Sequence, residues 1–514
     1  MNNGKLAIQA SDNVLTAVNT TLSVENATFG SGSTTTFTLN TDADMTASFI
    51  KASGDIVIEN GAAFHVTSIP GVNITWKSGN PMELTLMELT GAGTIDLGEN
   101  TLTVGGLFLT YYKNAHLVQE GDKVVLKAEE QTDNIYAGVA DTANSMAGAN
   151  LIWEAARHGS VDQAVTDFLA ALNDDMVNNP SAARRSLAAA AGSTVTSLGI
   201  AQRDALRDQM NWIRNRTNQM GVNPAYVNAD LPYFHMWMQG TGSYAKLDTR
   251  GDESGYQLTT WGGTVGMDVD LSDHFTMGAA FTANYGDLTA SAADSADGHL
   301  DSYYANLFGR YQSKRWAHTL ILTGGWNDAK LNRTVNYGEG SYRTQGNTSG
   351  WGFGAMYELT YDVYLNEDKS SILQPLANAS VVTTRMDGYT ETGAGNAGLN
   401  VGKQEWTTGT VALGGRWMGL IGSNIFGREA LAEFRVNAAQ DMGDHRGKTG
   451  VGFLANPGYT QTVRGAKVGT TALQIGAGLS VPVGTQGTVF INGNADFRDG
   501  ANSVNGSVGY RYDF

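Results

Sequence analysis

The sequence predicts an all-β membrane protein. Its C-terminal part is a twelve-stranded transmembrane β-barrel with an α-helix threading the lumen, preceded by a parallel β-solenoid and a helical linker. Three observations carry the prediction. Residues 229–514 alternate between large apolar and small or polar side chains over long runs. Just upstream lies a helical stretch that is polar around most of its circumference. Glycine accounts for 64 residues and proline for only 8, a balance that suits sheets with tight turns and close backbone approach, not a disordered or collagen-like chain.

Composition bounds the function. Of the charged side chains, 33 are basic and 50 acidic, a net charge of −17. That argues against nucleic acid as a partner, since engaging phosphate needs a positive field. Cysteine is absent, which excludes disulfides, thiol catalysis and thiolate metal sites. No run of ~18 apolar residues occurs, so no transmembrane helix is expected. A membrane β-barrel stays open, because its signal lies in alternation. Residues 1–30 lack the basic and apolar leader pattern, and Met1 reads as a fragment start or an added methionine.

Residues 1–130 carry short β-rich runs, among them Thr34–Leu39, Asp55–Glu59, Asn73–Lys77, Gly93–Leu97 and Lys123–Lys127, punctuated by Gly, Asn and Asp. A spacing of about 15–25 residues with weak helical periodicity fits solenoid coils, each burying its inner face on the next. No strict repeat is visible, and a β-sandwich is the alternative. Residues 131–228 form the helical linker. Asn150–Leu172 shows helical periodicity, and Ser181–Met220 follows the break at Asn179-Pro180, where the residue before proline avoids the α region. Gly221 and Pro224 are stop signals.

The segment 197–217 carries Arg203, Asp204, Arg207, Asp208, Asn211, Arg214, Asn215 and Arg216. A helix polar all round bridges solvent or sits in a polar enclosure. Residues 201–220 hold four Arg and two Asp, net +2, leaving −19 for the rest of the chain. At ~1.5 Å per residue, ~20 residues span about 30 Å, the thickness of a bilayer core. The pore-filling helix is therefore placed at about 182–220.

In 229–514, Trp261, Val265, Met267 and Val269 share one face, with Thr264, Asp268 and Asp270 on the other. Phe275, Met277, Phe281 and Tyr285 repeat the pattern, as do Val504, Val508, Tyr510, Tyr512 and Phe514. Twelve strands are expected at about 233–248, 261–271, 275–289, 299–313, 316–333, 346–365, 371–391, 404–420, 428–442, 463–481, 486–499 and 502–514. Short connections (272–274, 314–315, 366–369, 482–484, with 421–427 of moderate length) alternate with long ones near 249–260, 290–298, 334–345, 392–403 and 443–462. An even strand number and short turns opposite long loops are the outer-membrane pattern. A net-positive helix inside such a lumen is expected to pair with the inward carboxylates Asp268, Asp270, Glu433 and Asp496, since charges pair more strongly in a low-dielectric enclosure.

Other chemistry is sparse. The eight histidines form no helical i, i+4 metal pair, and no Gly-x-Ser-x-Gly elbow occurs. Gly443–Thr449 lacks the spacing and context of a phosphate-binding loop. Asp294, Asp297, His299 and Asp301 form the best acid–base cluster, in an outer loop where His can serve as general base and calcium can take acidic oxygens. A solvated acidic loop explains the same residues. Arg250-Gly251-Asp252 in the first outer loop is a candidate receptor motif, with Arg bidentate and Asp metal-bound. No cofactor and no metal site are expected, and the chain is not expected to be an enzyme.

With a polar helix, then Tyr233–Gln239, then twelve alternating strands ending in Val508-Gly509-Tyr510-Arg511-Tyr512-Asp513-Phe514, the chain resembles an autotransporter. This is the type V secreted class of Gram-negative bacteria, and the resemblance covers residues ~182–514. It implies a barrel in the outer membrane, a passenger at the cell surface and a helix left in the pore. Tyr510, Tyr512 and Phe514 look like the signal read by the barrel-assembly machinery. Residues 1–130 look like the end of a β-helical passenger, with Leu117–Val118 and Gly121–Leu126 similar to the segment that nucleates its folding. Some relatives cleave themselves at an Asn pair; here Asn178-Asn179 precedes the pore helix and is followed by Pro180, and the passenger is expected to stay attached. The resemblance makes outer-membrane lipid, the assembly machinery and the chain's own passenger the partners of a monomeric barrel. The alternatives are a barrel enzyme using the Asp294–Asp301 rim, and a porin with an internal plug.

Overall fold

The computed structural model describes residues 6–8, 12–15, 21–39, 48–68, 82–218, 233–425, 428–484 and 486–514. The expected strand at Asn73–Lys77 and the stop signals Gly221 and Pro224 lie outside them.

The N-terminal strands form three ladders of parallel strands. One joins Leu6–Ile8, Ala27–Phe29, Ile56–Ile58 and Ile95–Leu97. The second joins Asp12–Leu15, Thr34–Leu39, Ala62–Ser68 and Asn100–Val104. The third joins Leu22–Val24, Ile50–Ala52 and Met82–Leu89. Their inner faces share a core of Phe29, Phe37, Ile56, Ile58, Phe64, Val66 and Leu84, with Phe29 and Phe64 edge-to-face at 5.2 Å. The Gly/Asn/Asp punctuation has a physical basis. Asn26 Oδ1 accepts from the Asp55 amide at 2.7 Å, and Asp55 Oδ1 accepts from the Thr94 amide at 2.8 Å, so each corner caps the next. A Cβ on Gly93 would lie 2.2 Å from the Gly54 carbonyl. The hairpin Tyr112–Glu120/Lys123–Glu130 then adds antiparallel to Met82–Leu89 and covers the growing edge of the third ladder.

Among the described residues four α-helices follow: α1 (Ala143–His158), α2 (Gln163–Asn178), α3 (Pro180–Ala191) and α4 (Ser197–Asn218). Two expectations are corrected here. The stretch Asn150–Leu172 is two helices, because Asp162 caps a new one by accepting from the Val165 amide. The helix placed at 182–220 breaks at Gly192, which adopts φ +72°, a left-handed C-cap that glycine alone takes without strain. Only α4 threads the barrel.

Twelve long strands close the barrel: β1 Tyr233–Leu247, β2 Gly255–Ser272, β3 Phe275–Ser291, β4 Ser295–Ser313, β5 Trp316–Tyr337, β6 Gly340–Tyr361, β7 Ser371–Met386, β8 Gln404–Ile425, β9 Arg428–Gly443, β10 Thr471–Val483, β11 Gly487–Arg498 and β12 Ala501–Asp513. Neighbours pair antiparallel around the ring, and β1 meets β12 in continuous register from His235↔Asp513 to Leu247↔Ala501. On β1 the outward residues run from Phe234 to Tyr244. Ten residue-to-residue steps of ~3.3 Å, tilted about 40°, give an apolar band of roughly 25 Å. Phe275, Tyr311, Trp316 and Phe514 lie on the same exposed outer surface near the short turns, with Trp261, Trp326 and Trp351 towards the other end. Inside, a Cβ on Gly266 would lie 2.3 Å from the Trp237 ring, so glycine lets the aromatic lie flat across the neighbouring strand.

The connections differ from expectation. Three of the five long loops are instead strand: β2 begins at Gly255, β3 and β4 meet across Ala292–Asp294, and β5 and β6 meet at Gly338-Glu339. Their polar residues face water above the apolar band, while the inner faces pack on the linker helices. The other two loops supply a separate sheet of Tyr389–Thr390, Leu399–Val401, Arg446–Phe453 and Gln461–Lys467 over the barrel mouth. The expected strand 463–481 is thus divided between that sheet and β10, and 371–391 between β7 and that sheet. Alternation continues through both breaks, so parity does not mark where a strand leaves the barrel.

The candidate functional site, a helix-filled lumen

The lumen has two zones. Towards the long connections it is apolar: Leu247, Tyr256, Leu258, Leu288, Leu300, Leu331 and Val335 pack with Leu151, Leu187 and Val195 of the linker. Helices α1 and α3 approach so closely that a Cβ on Gly148 would meet the Leu187 carbonyl. Towards the short turns the lumen is polar and holds α4, nearly all of whose side chains are buried.

Helix α4 engages the wall along its length. Gln404 Oε1 accepts from the Gly199 amide at 3.1 Å, and Gln202 donates to the Trp351 carbonyl at 3.0 Å. Arg207 donates to Asp441 and Thr410, both at 2.7 Å. Gln209 donates to Thr282 at 2.9 Å, and Asp208 accepts from Asn505 at 2.7 Å. Arg216 reaches Asp268 at 2.7 and 2.9 Å with both side chains about 1% exposed, and lies over the Trp237 ring. Arg203 pairs at 2.5 Å with its own neighbour Asp204 and stacks on Trp406; Asp204 also accepts from Tyr256. Arg214 faces Arg416, Arg435, Glu358 and Glu433.

Of the sequence-predicted carboxylates, Asp268 takes a helix arginine and Glu433 takes Asn218 at 3.5 Å. Asp270 pairs with His235 at 3.1 Å, and Asp496 with Arg498 at 2.6 Å, both within the wall. Asp441 was not singled out, although it shares the parity of Glu433 on one strand. The inward arginines Arg310, Arg416, Arg435, Arg498 and Arg511 were legible by the same rule. Arg333 shares the inward parity of β5, but its partner Glu391 comes from a loop that the rule does not reach. The two form a bidentate pair at 2.6 and 2.8 Å, almost fully buried, and Arg333 also donates to the Ala189 carbonyl at the end of α3.

The rim cluster is not assembled. Asp294 is buried inside and accepts from Thr194, while Asp297, His299 and Asp301 face outward on β4. His299 pairs with Tyr285 and Asp287, and Asp297 with Arg343 and Asn332. Arg250-Gly251-Asp252 is engaged within the chain: Arg250 donates to Asp499 at 2.8 Å, and Asp252 accepts from Thr142 through its carboxylate and from Ser193 through its carbonyl. Tyr510, Tyr512 and Phe514 line the outer face of the last strand. Among the described residues no group of three or more His, Asp or Glu is placed to hold a metal.

The threading has a direction. Thr194 meets Asp294 and Ser193 meets Asp252 at the long-connection end. Arg216 and Asn218 meet Asp268 and Glu433, four residues before the end of β2 and five after the start of β9. The chain enters the lumen from the long-connection end and leaves at the short-turn end, where β1 begins.

These features define a closed, outer-membrane-type β-barrel occupied by its own upstream helix. The family model for the autotransporter beta-domain matches residues 236–494, half of the chain, and the chain belongs to that family. It is an outer-membrane protein of the Gram-negative type. Among curated proteins it is similar to the esterase EstA of Pseudomonas aeruginosa, 32% identical over 167 residues, which covers 32% of this chain and 25% of EstA. It is also similar to an extracellular serine protease of Serratia marcescens, 27% identical over 181 residues, 35% of this chain and 16% of the protease. Among solved structures, the translocator domain of the autotransporter NalP from Neisseria meningitidis aligns with 61% of this chain and 98% of that one, at a TM-score of 0.44 and 15% identity. The match thus spans a quarter or less of the length of these curated relatives.

Proposed function

We propose that this chain is the translocator end of an autotransporter, which leaves what precedes α4 at the cell surface and keeps α4 in the pore. The direction of threading carries the reading. A chain held with its upstream part beyond the long-connection end, and its downstream part entering β1 from the short-turn end, is what outward export through the barrel leaves behind. Residues 1–130 are the end of a β-helical passenger, 131–228 the linker and 229–514 the β-domain. The parallel ladders, with their cross-coil Asn and Asp caps, support the first assignment. Tyr510, Tyr512 and Phe514, on the lipid face of the closing strand, serve recognition by the barrel-assembly machinery, and the barrel acts as a monomer.

Display, not catalysis, is the role of this part of the protein; the scattered placement of Asp294, His299 and Asp301 favours this over a rim enzyme. Intact cells producing the chain with an export signal and an epitope tag before residue 1 provide the test. Added protease is expected to remove the tag and spare a barrel-sized fragment. A tag protected until the outer membrane is opened would place residues 1–130 in the periplasm and establish a plugged porin instead.

A further inference from the structure

Four guanidinium groups converge in the inner third of the lumen, and the carboxylates among them do not balance. Arg310 on β4, Arg416 on β8 and Arg435 on β9 project from the wall, and Arg214 comes from α4; all four are more than nine-tenths buried. Arg416 and Arg435 are direct partners in the β8–β9 register, a like-charge pairing that destabilises a sheet unless it is compensated. Among the described residues, the carboxylates within electrostatic reach are Glu358, Asp362 and Glu433. Among the described residues, four cations therefore face three anions.

The direct bonds do not close the deficit. Asp362 is taken by the amides of Gln312 and Gln374 at 3.1 and 2.6 Å. Arg416 Nη1 lies 3.6 Å from Glu358 and Arg435 Nη1 3.7 Å from Glu433, beyond hydrogen-bond length. Both terminal nitrogens of Arg416, Nε and Nη1 of Arg310 and of Arg435, and Nε of Arg214 have no hydrogen-bond partner among the described residues, and neither does the Glu358 carboxylate. Water can bridge Glu358 to its neighbours, but it carries no charge and leaves the surplus cation unpaired, a costly state for a buried group.

We propose that this cluster binds one small monovalent anion of the halide class, and that α4 completes the site. The wall by itself sets three arginines against three carboxylates; Arg214 supplies the excess. The anion is bound only while α4 is seated, so by linkage it stabilises the seated helix. Arg310 and Glu358 each lie three residues before the short-turn ends of their strands, at Ser313 and Tyr361, within reach of small ions entering from that side.

The test uses the purified full chain in detergent micelles, unfolded by heat while chloride replaces gluconate at constant ionic strength, so that general screening is unchanged. The unfolding midpoint is expected to rise saturably by about 2–4 °C, bromide acting like chloride, and Arg214→Gln is expected to abolish the dependence. Bromide anomalous diffraction from crystals of the unaltered chain gives a reading that needs no variant: a peak within ~3.5 Å of the Arg310 and Arg416 guanidiniums. A midpoint insensitive to chloride, a dependence that survives Arg214→Gln, or crystals in bromide with no peak between these arginines would each overturn the proposal.

Discussion

Asp268 and Arg216 meet almost out of contact with water, and the energetics of that isolation are asymmetric. A buried pair gains little over well-packed apolar side chains of the same size, whereas breaking it strands a charge at about 3–5 kcal/mol. Asp268→Leu and Arg216→Met are each expected to lower the thermal midpoint of the barrel, while the two combined recover much of the loss. A double-mutant cycle checks this, and additive losses would contradict a coupled pair. Asp294 makes a second case. Burial pushes its carboxyl up to about 6, from an ordinary ~3.9. The docked turn therefore holds a proton that the free chain releases between roughly pH 4 and 6. Its contribution is full below the lower value and is lost as pH rises through the upper one. The hydrogen-exchange protection factor across Ser193–Thr196, taken relative to the intrinsic exchange rate at each pH, is expected to be higher at pH 4 than at pH 7, and Asp294→Asn is expected to flatten that difference.

Elements are joined by contacts that cross the barrel rim. Helix α3 ends at Gly192, and the Arg333–Glu391 pair holds its last turn by donating to Ala189, the placement that favours a cation at a helix C-terminus. Glu391 in turn accepts from the Leu399 amide at 2.9 Å, tying the outer sheet to the same point. Arg333→Met leaves Glu391 buried and uncompensated, at a cost of about 3–5 kcal/mol. Limited proteolysis between residues 179 and 196 is expected to speed up, with the heat stability of the barrel strands little changed. Equal cleavage in variant and parent would show that α3 is held by its apolar packing alone.

The whole molecule stacks an apolar stopper of linker helices on a polar lumen filled by α4. Either zone obstructs the pore, so their removal has unequal consequences. Deleting residues 143–191 leaves α4 in place and is expected to change single-channel conductance in planar bilayers little. Deleting residues 1–218 is expected to raise it several-fold. A full chain that already conducts like the shortened one would show that the lumen is not filled in the membrane.

The barrel was legible because strand alternation is a local property: side-chain period two, read over eleven or more residues, places Trp261, Val265 and Met267 outside and Asp268 inside without knowledge of any neighbour. The same rule reaches Asp441 and Arg416, which were overlooked although their parity is plain. It does not reach Arg333–Glu391, Thr194–Asp294 or the departure of Gln461–Lys467 from the barrel wall, because each depends on a partner distant in sequence.

By itself, then, the sequence determined the strand faces, the polar pore helix and the absence of cysteine chemistry, all of which follow from side-chain type and spacing along the chain. Only the tertiary structure decided where the upstream helix breaks, which arginine meets which carboxylate, and that Asp294 stands inside the wall while Asp297, His299 and Asp301 face outward. Register, closure and the seating of α4 set those distances, and electrostatic interaction depends on distance through the fold, not along the chain.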